Sequence, residues 1–184
     1  MDVLSRHGAD VNARDENDST PLHLASSYGR TKSMELLIQY GADVNARDKA
    51  NSTPLHLVSP AWSVGPIWVL LGQGADVNAR DKNNMTPLHL AAKANIQCVK
   101  VLIEHGADVN AQDRANSTPL HRVSSRPHRR HGVEITRLLL EHGANADARD
   151  DKGRTPYEMV SSTFGRISPE ITRLISGHCS RASA

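Results

Sequence analysis

The segment Gly-Ala-Asp-Val-Asn-Ala starts at Gly8, Gly41, Gly74 and Gly106 and returns as Gly-Ala-Asn-Ala-Asp-Ala at Gly143, at intervals of 33, 33, 32 and 37 residues. Self-similarity at such a period means that the chain is built from one supersecondary unit, stacked on copies of itself, because no unit of that length buries its apolar face alone. The composition agrees: only 3% of the 184 residues are aromatic. Small and aliphatic side chains suffice where thin repeats pack closely, whereas a single large core draws on bulkier ones.

Each unit has the same internal punctuation. Thr-Pro follows every one of these glycines by 12 residues, at Thr20-Pro21, Thr53-Pro54, Thr86-Pro87, Thr118-Pro119 and Thr155-Pro156. Thr is a good N-cap, and Pro at the first helical position has φ preset and lacks an N–H that would be unpaired there. A helix is therefore expected to open at each Thr-Pro. Apolar stretches such as Met34 to Ile38, Val99 to Ile103 and Ile135 to Leu140 precede the glycines and predict a second helix, ended by a glycine in the left-handed region, as at Gly41 or Gly106. Asp-Val-Asn-Ala-Arg-Asp is then expected to run extended to a turn. Asp18, Asn51, Asn84, Asn116 and Gly153 share one position of that turn, and all three residue types tolerate positive φ.

Thr-Pro-Leu-His occurs four times, at Thr20, Thr53, Thr86 and Thr118, in fixed phase with Gly-Ala-Asp-Val-Asn. With a period near 33, the chain resembles the ankyrin-repeat family over almost its whole length. The resemblance implies an all-α repeat fold, a solenoid of stacked helix-turn-helix units with projecting hairpins. First helices would line a concave face, second helices a convex one. Leu22, Leu55, Leu88 and Leu120, with Ala25, Val58, Ala91 and Val123, are expected to form the shared core. The expected boundaries are a partial repeat at 1–19, repeats at 20–52, 53–85, 86–117 and 118–154, a C-terminal capping repeat at 155–179 and a disordered tail at 180–184.

The repeats depart from one another between their helices. Met1 to His7 aligns with the end of a second helix, which leaves a fragment, a frayed end or a self-association surface as readings of the N-terminal flank. Pro60 should shorten the first helix of its repeat. The fourth repeat carries a basic insertion within Ser125 to Gly132, the third has Asn95 near its turn, and the last replaces the motif His by Glu158. A closing helix is expected to open at Ser168-Pro169-Glu170 and to end at Gly177.

The chemistry-bearing residues follow the repeat rather than converging on a site. His23, His56, His89 and His121 hold one register position, and the resemblance implies that each bonds near its helix start and bridges to the next hairpin. Asp15, Asp48, Asp81, Asp113 and Asp150 recur as turn formers. His128 and His131 lack accompanying Cys or carboxylate ligands, Cys98 and Cys179 are too few for a disulfide framework, and no phosphate-binding, nucleophile-elbow or His-Glu-x-x-His motif is present. The expectation is a non-enzymatic chain with no cofactor and no metal, in the reducing cytoplasm or nucleus, without a membrane span.

Positions that vary on a fixed scaffold are then the candidates for binding a protein partner. At the hairpin tips these are Arg14, Arg47, Lys49, Arg80, Lys82 and Arg114, with Met85 beside them. On the first-helix side they are Ser27, Tyr28, Ala61, Trp62, Lys93 and Arg126. Aromatic anchors dominate binding hot spots, which singles out Tyr28 and Trp62, although Trp62 equally suits a local plug. Arg14, Arg47 and Arg80 form a ladder that either docks an acidic strip or is merely solvated or paired within the chain. Two other functions stay open. One is nucleic-acid or polyanion binding through Arg122, Arg126, Arg129, Arg130 and Arg137, weakened by the lack of interleaved aromatics. The other is a structural segment of a longer solenoid. The resemblance further implies Asn hydroxylation at Leu-x5-Asp-Val-Asn hairpins, a pattern that Asn45 and Asn110 fit.

Overall fold

First helices of four to seven residues are too short to persist alone in water, so they owe their existence to caps and packing. The computed structural model describes residues 9–58, 64–92, 95–125, 131–161 and 168–179. Among them are ten helices: α1 Pro21–Ser27, α2 Thr31–Gln39, α3 Pro54–Leu57, α4 Gly65–Gly72, α5 Pro87–Ala91, α6 Ile96–Glu104, α7 Pro119–Ser124, α8 Gly132–Glu141, α9 Pro156–Ser161 and α10 Pro169–His178. No strand occurs among the described residues. The chain divides into two compact units, Met1–Lys82 and Asn83–Ala184.

Within the first unit α1 pairs with α2, α3 with α4, and the pairs stack first helix on first helix and second on second. In the second unit α5–α6, α7–α8 and α9–α10 stack by the same rule. Leu22, Leu55, Leu88 and Leu120, with Ala25, Val58, Ala91 and Val123, are all buried, as the register requires. Met34, Ile67 and Leu70 complete the first unit's core, while Val99, Leu102, Ile135, Leu139, Ile171 and Ile175 supply the second helices of the other. Each such aliphatic side chain contributes about 1.5–3 kcal/mol on burial, which offsets the ordering of helices this short.

The helix ends follow the sequence signals with some corrections. Every described Thr-Pro opens a helix, with Thr20, Thr53, Thr86 and Thr118 as extended N-caps. Gly41, Gly74, Gly106 and Gly143 end the second helices at φ +81 to +89°. The chain then closes each end with a Schellman pair, in which the Ala42 N–H donates to Leu37 O at 3.0 Å and the Gly41 N–H to Ile38 O at 2.9 Å. Gly177 does not end α10, which continues to His178, since nothing nearby forces that glycine into the left-handed region. Helix α3 has only four residues, as expected upstream of Pro60, which itself lies outside the described residues. The Ser168 side chain accepts from the Ile171 N–H and caps α10, and Asn95 caps α6 by accepting from the Gln97 and Cys98 amides.

The segment after each glycine is not extended. Asp43 to Ala46 forms a turn of its own, closed by the Ala46 N–H on Asp43 O at 3.3 Å and by the Asn45 N–H on the Asp43 carboxylate at 2.9 Å. Asp followed two residues later by Asn is a side-chain-to-backbone turn signal, and it overrides the strand preference of Val44. The tip turn behaves as expected: Asp18, Asn51, Asn84, Asn116 and Gly153 all have φ between +54 and +73°.

Candidate functional site

Three sets of repeated polar side chains hold one unit's hairpins and helices together, and they decide which surface groups remain for a partner. The first is the motif histidine. The Thr20 N–H donates to His23 Nδ1 at 3.1 Å, so Nε2 carries the proton and donates to the Ser52 carbonyl of the next hairpin at 3.0 Å. His89 bridges to Ser117 O and His121 to Arg154 O in the same way, each at 3.0 Å. These rings are fully buried, and the role implied by the family resemblance is the one they have. Burial, opposed by the Arg154 carbonyl and by Asp150 and Asp113, holds the His121 pKa below its ordinary value. Glu158 takes the same cap N–H, from Thr155 at 2.7 Å, and this bond leads the causes that lower its pKa. An ionised carboxylate has no donor with which to bridge onward.

The second set is the turn aspartates. Asp15, Asp48, Asp113 and Asp150 each accept two backbone N–H groups on Oδ1, from the residues two and four positions on, at 2.8–3.0 Å. Burial would raise the Asp150 pKa, but bonds from the Arg154 guanidinium and from the Arg154 and Lys152 amides hold it below the usual carboxylate range. The third set is the hairpin asparagines. Asn45 donates from Nδ2 to Gly74 O at 3.0 Å and accepts the Asp76 N–H at 2.8 Å. Asn12 clasps Gly41 and Asp43 likewise, and Asn110 clasps Gly143 and Asn145. Asn45 and Asn110, the two candidate modification positions, thus keep their amides engaged while the residues stay exposed.

The tip cations divide into engaged and available. Arg14 donates to Arg47 O at 2.8 Å and to Asp18 O at 3.3 Å, and Arg47 donates to Arg80 O at 2.9 Å and to Asn51 O at 3.2 Å. Of the two readings of the ladder, Arg14 and Arg47 take the one in which it pairs within the chain. Lys49 bonds the Glu16 carbonyl. By contrast the Lys82 ammonium and the Arg114 guanidinium are exposed and have no partner among the described residues. Of the basic set, Arg122 ion-pairs with Asp113, which is almost wholly buried, and also touches Met85 Sδ at 3.4 Å. Arg137 pairs with Glu170 at 3.5 Å on the surface. Neither is a cation without a counter-charge. Ala61, Trp62, Lys93, Arg126, Arg129 and Arg130 lie outside the described residues.

On the first-helix side Tyr28 is the most exposed large apolar residue among the described residues, at 63%, and Leu24 one turn before it is 49% exposed. Residues four apart share a helix face, so the two form one apolar patch. Ser27 beside them is half-buried, with its hydroxyl spent on Leu24 O at 2.9 Å. Sequence reasoning missed Leu24, because leucine at that register reads as core; Leu57 and Leu90, its counterparts, are half-buried. It also missed Trp68 on α4, which is 48% exposed. The available signal was register, since Glu35, Lys100 and Arg137 occupy the matching position of the other second helices.

Among the described residues no cluster of three or more His, Cys, Asp or Glu side chains is placed to hold a metal. Cys98 and Cys179 are free, and burial pushes the Cys98 thiol up to about 11, which makes it a poor nucleophile. No helix among the described residues is long and apolar enough to cross a membrane.

A family model of ankyrin repeats in three copies matches residues 61–150, and a second, of ankyrin repeats in many copies, matches residues 4–58. No curated protein matches the chain. Ankyrin repeats are general protein–protein interaction modules, typically without catalytic activity. With repeat motif, helix pairing and histidine bridges in agreement, the chain belongs to the ankyrin-repeat family.

Proposed function

We propose that this chain is a non-enzymatic adaptor or scaffold of the cytoplasm or nucleus that binds a protein partner through its first-helix side and its hairpin tips. The observation that carries the reading is the Leu24–Tyr28 pair, two large apolar side chains left about half or more in water on one helix face. Scattered exposed apolar residues are ordinary, but adjacent ones on a rigid element are what a partner's hot spot requires. Lys82 beside it in sequence order of repeats, and Arg114 in the second unit, supply unpaired cations at tips. Rim charges of this kind set partner choice and encounter rate more than affinity.

Arg14, Arg47 and Lys49 serve this surface indirectly, as struts that fix the tips, while Ser27, Arg80 and Met85 are proposed as further partner contacts. Ala61, Trp62, Lys93 and Arg126 belong to the same proposed set. The test is affinity capture with the intact chain and a Leu24→Glu/Tyr28→Ala variant that retains its thermal melt. Specific loss of a captured protein from the variant supports the reading. Equal capture by both forms overturns it.

A further inference from the structure

The exposed side of α4 breaks a rule that the other second helices keep. At the register of Gly65 the others carry Lys32, Gln97 and Glu134; at that of Trp68, Glu35, Lys100 and Arg137; at that of Gly72, Gln39, Glu104 and Glu141. Helix α4 thus has Gly, Trp and Gly where its counterparts have charged or amide side chains, with Trp68 and Gly72 exposed and Gly65 half-buried, and it contains no charged residue at all. A helix apolar on every side is ordinarily buried on every side, yet Trp68 is 48% exposed.

Beside Trp68 an open groove of about 330 Å³ runs between α2 and α4, within the first unit. Ile38, Trp68 and Val69 give it apolar walls, and Gly72 leaves it unobstructed at one end, with nothing within 4 Å of where a Cβ would stand. Gln39 and Glu35 line the other side. Glu35 is the one charged residue in the lining, and its carboxylate has no hydrogen bond or ion pair among the described residues.

We infer that this groove on the second-helix side is a docking site for a short segment of another protein that carries an arginine next to an apolar side chain. The chemistry is specific to that pair. A guanidinium stacks on an indole face and donates to a carboxylate along its edge, so Trp68 and Glu35 together form a seat for one arginine. The apolar neighbour fills the space over Val69 and Ile38 that Gly72 keeps open. The volume lies at the small end of ligand pockets, suited to side chains of a single segment. This site is separate from the Leu24–Tyr28 surface and does not depend on it.

The test uses the full chain as bait for a random-peptide display library, followed by fluorescence anisotropy of the best enriched peptide against wild type and four variants. Trp68→Lys installs a residue found at the same register in Lys100. Glu35→Lys reverses the one charge. Gly72→Lys fills the open end at a helical position where a side chain is favoured over glycine, so it blocks the groove without weakening the fold. Leu24→Glu marks the other surface.

The expected result is a set of enriched peptides with Arg beside an apolar residue. Binding should weaken about tenfold or more in each of the three groove variants, as for loss of a hot-spot contact, and be unchanged in Leu24→Glu. Three results would overturn the inference: no peptide that distinguishes wild type from Trp68→Lys, enriched peptides without a basic residue or indifferent to Glu35→Lys, or a groove occupied by a second copy, seen as concentration-dependent dimers that Trp68→Lys abolishes. Loss of peptide binding in Leu24→Glu alone would assign the peptides to the other surface and overturn it as well.

Discussion

The Arg14 guanidinium reaches into the following hairpin and donates to the Arg47 carbonyl at 2.8 Å, a bond repeated one unit on by Arg47 and Arg80 at 2.9 Å. Lys49 N–H to Asn17 O and Lys82 N–H to Ala50 O, at 2.9 and 2.8 Å, tie the same tips through backbone. Arg47→Ala is therefore expected to lower the stability of the chain by about 1 kcal/mol, the net worth of the surface hydrogen bonds removed. Urea unfolding monitored by circular dichroism measures it. An unchanged midpoint would mean that the strut is idle and the arginine free for a partner.

His121 makes stability depend on pH. Its folded pKa lies below the ordinary 6.5, chiefly because burial disfavours the charged ring. As pH falls below that ordinary value the unfolded chain takes up the proton first, so stability present above it is lost progressively down to the folded pKa. Protonation of Nδ1 also removes the acceptor for the Thr118 N–H. The melting temperature should fall between about pH 7 and pH 5, with a shallower fall in His121→Gln. Identical slopes for the two proteins would contradict this.

Arg122 separates an internal role from a polyanion-binding one. Its partner Asp113 is 2% exposed, so truncation leaves a carboxylate shielded and uncompensated on one oxygen. Arg122→Ala is expected to cost about 1–2 kcal/mol of stability, below the cost of breaking a fully buried pair because the arginine itself is partly exposed. Denaturant unfolding gives the stability loss. Retention on a heparin column should be unaltered. The reverse pattern would restore Arg122 to a polyanion site.

Asp18 sits at φ +58°, where the fifth hairpin has Gly153 at +73°. Asp18→Gly should leave stability within about 0.5 kcal/mol, whereas Asp18→Ile should lower it by about 1–2 kcal/mol because a β-branched side chain clashes in the left-handed region. Thermal melts of the two variants decide it; equal effects would show that the turn relaxes.

What the sequence made legible was whatever each unit repeats. Thr-Pro predicted every described first-helix start and the tip positions predicted positive φ, because these are local backbone demands met by a few residue types; the histidine bridge to the next hairpin was implied by the family resemblance. The turn at Asp43–Ala46 was not expected, because it depends on the Asp43 carboxylate accepting the amide two residues on, a local bond that overrides the strand preference of Val44. Gly177 was misread as a stop although a glycine inside a helix is tolerated at modest cost. The surfaces were less legible. Leu24 and Leu57 are the same residue at the same register, and only the packing around each decides that one is exposed and the other half-buried. Trp68 could be found only by comparing solvent-facing positions between repeats, not by looking for the aromatic nearest a variable loop.

The claim that this ankyrin-repeat chain is an interaction module is tested most directly by affinity capture from its native lysate with four matched baits: wild type, Leu24→Glu/Tyr28→Ala, Arg47→Ala and Trp68→Lys. The account predicts at least one protein retained by wild type, lost from the Leu24→Glu/Tyr28→Ala bait and still held by Trp68→Lys. A partner captured equally by the Leu24→Glu/Tyr28→Ala bait, with its fold intact, would contradict the placement of binding on the first-helix side.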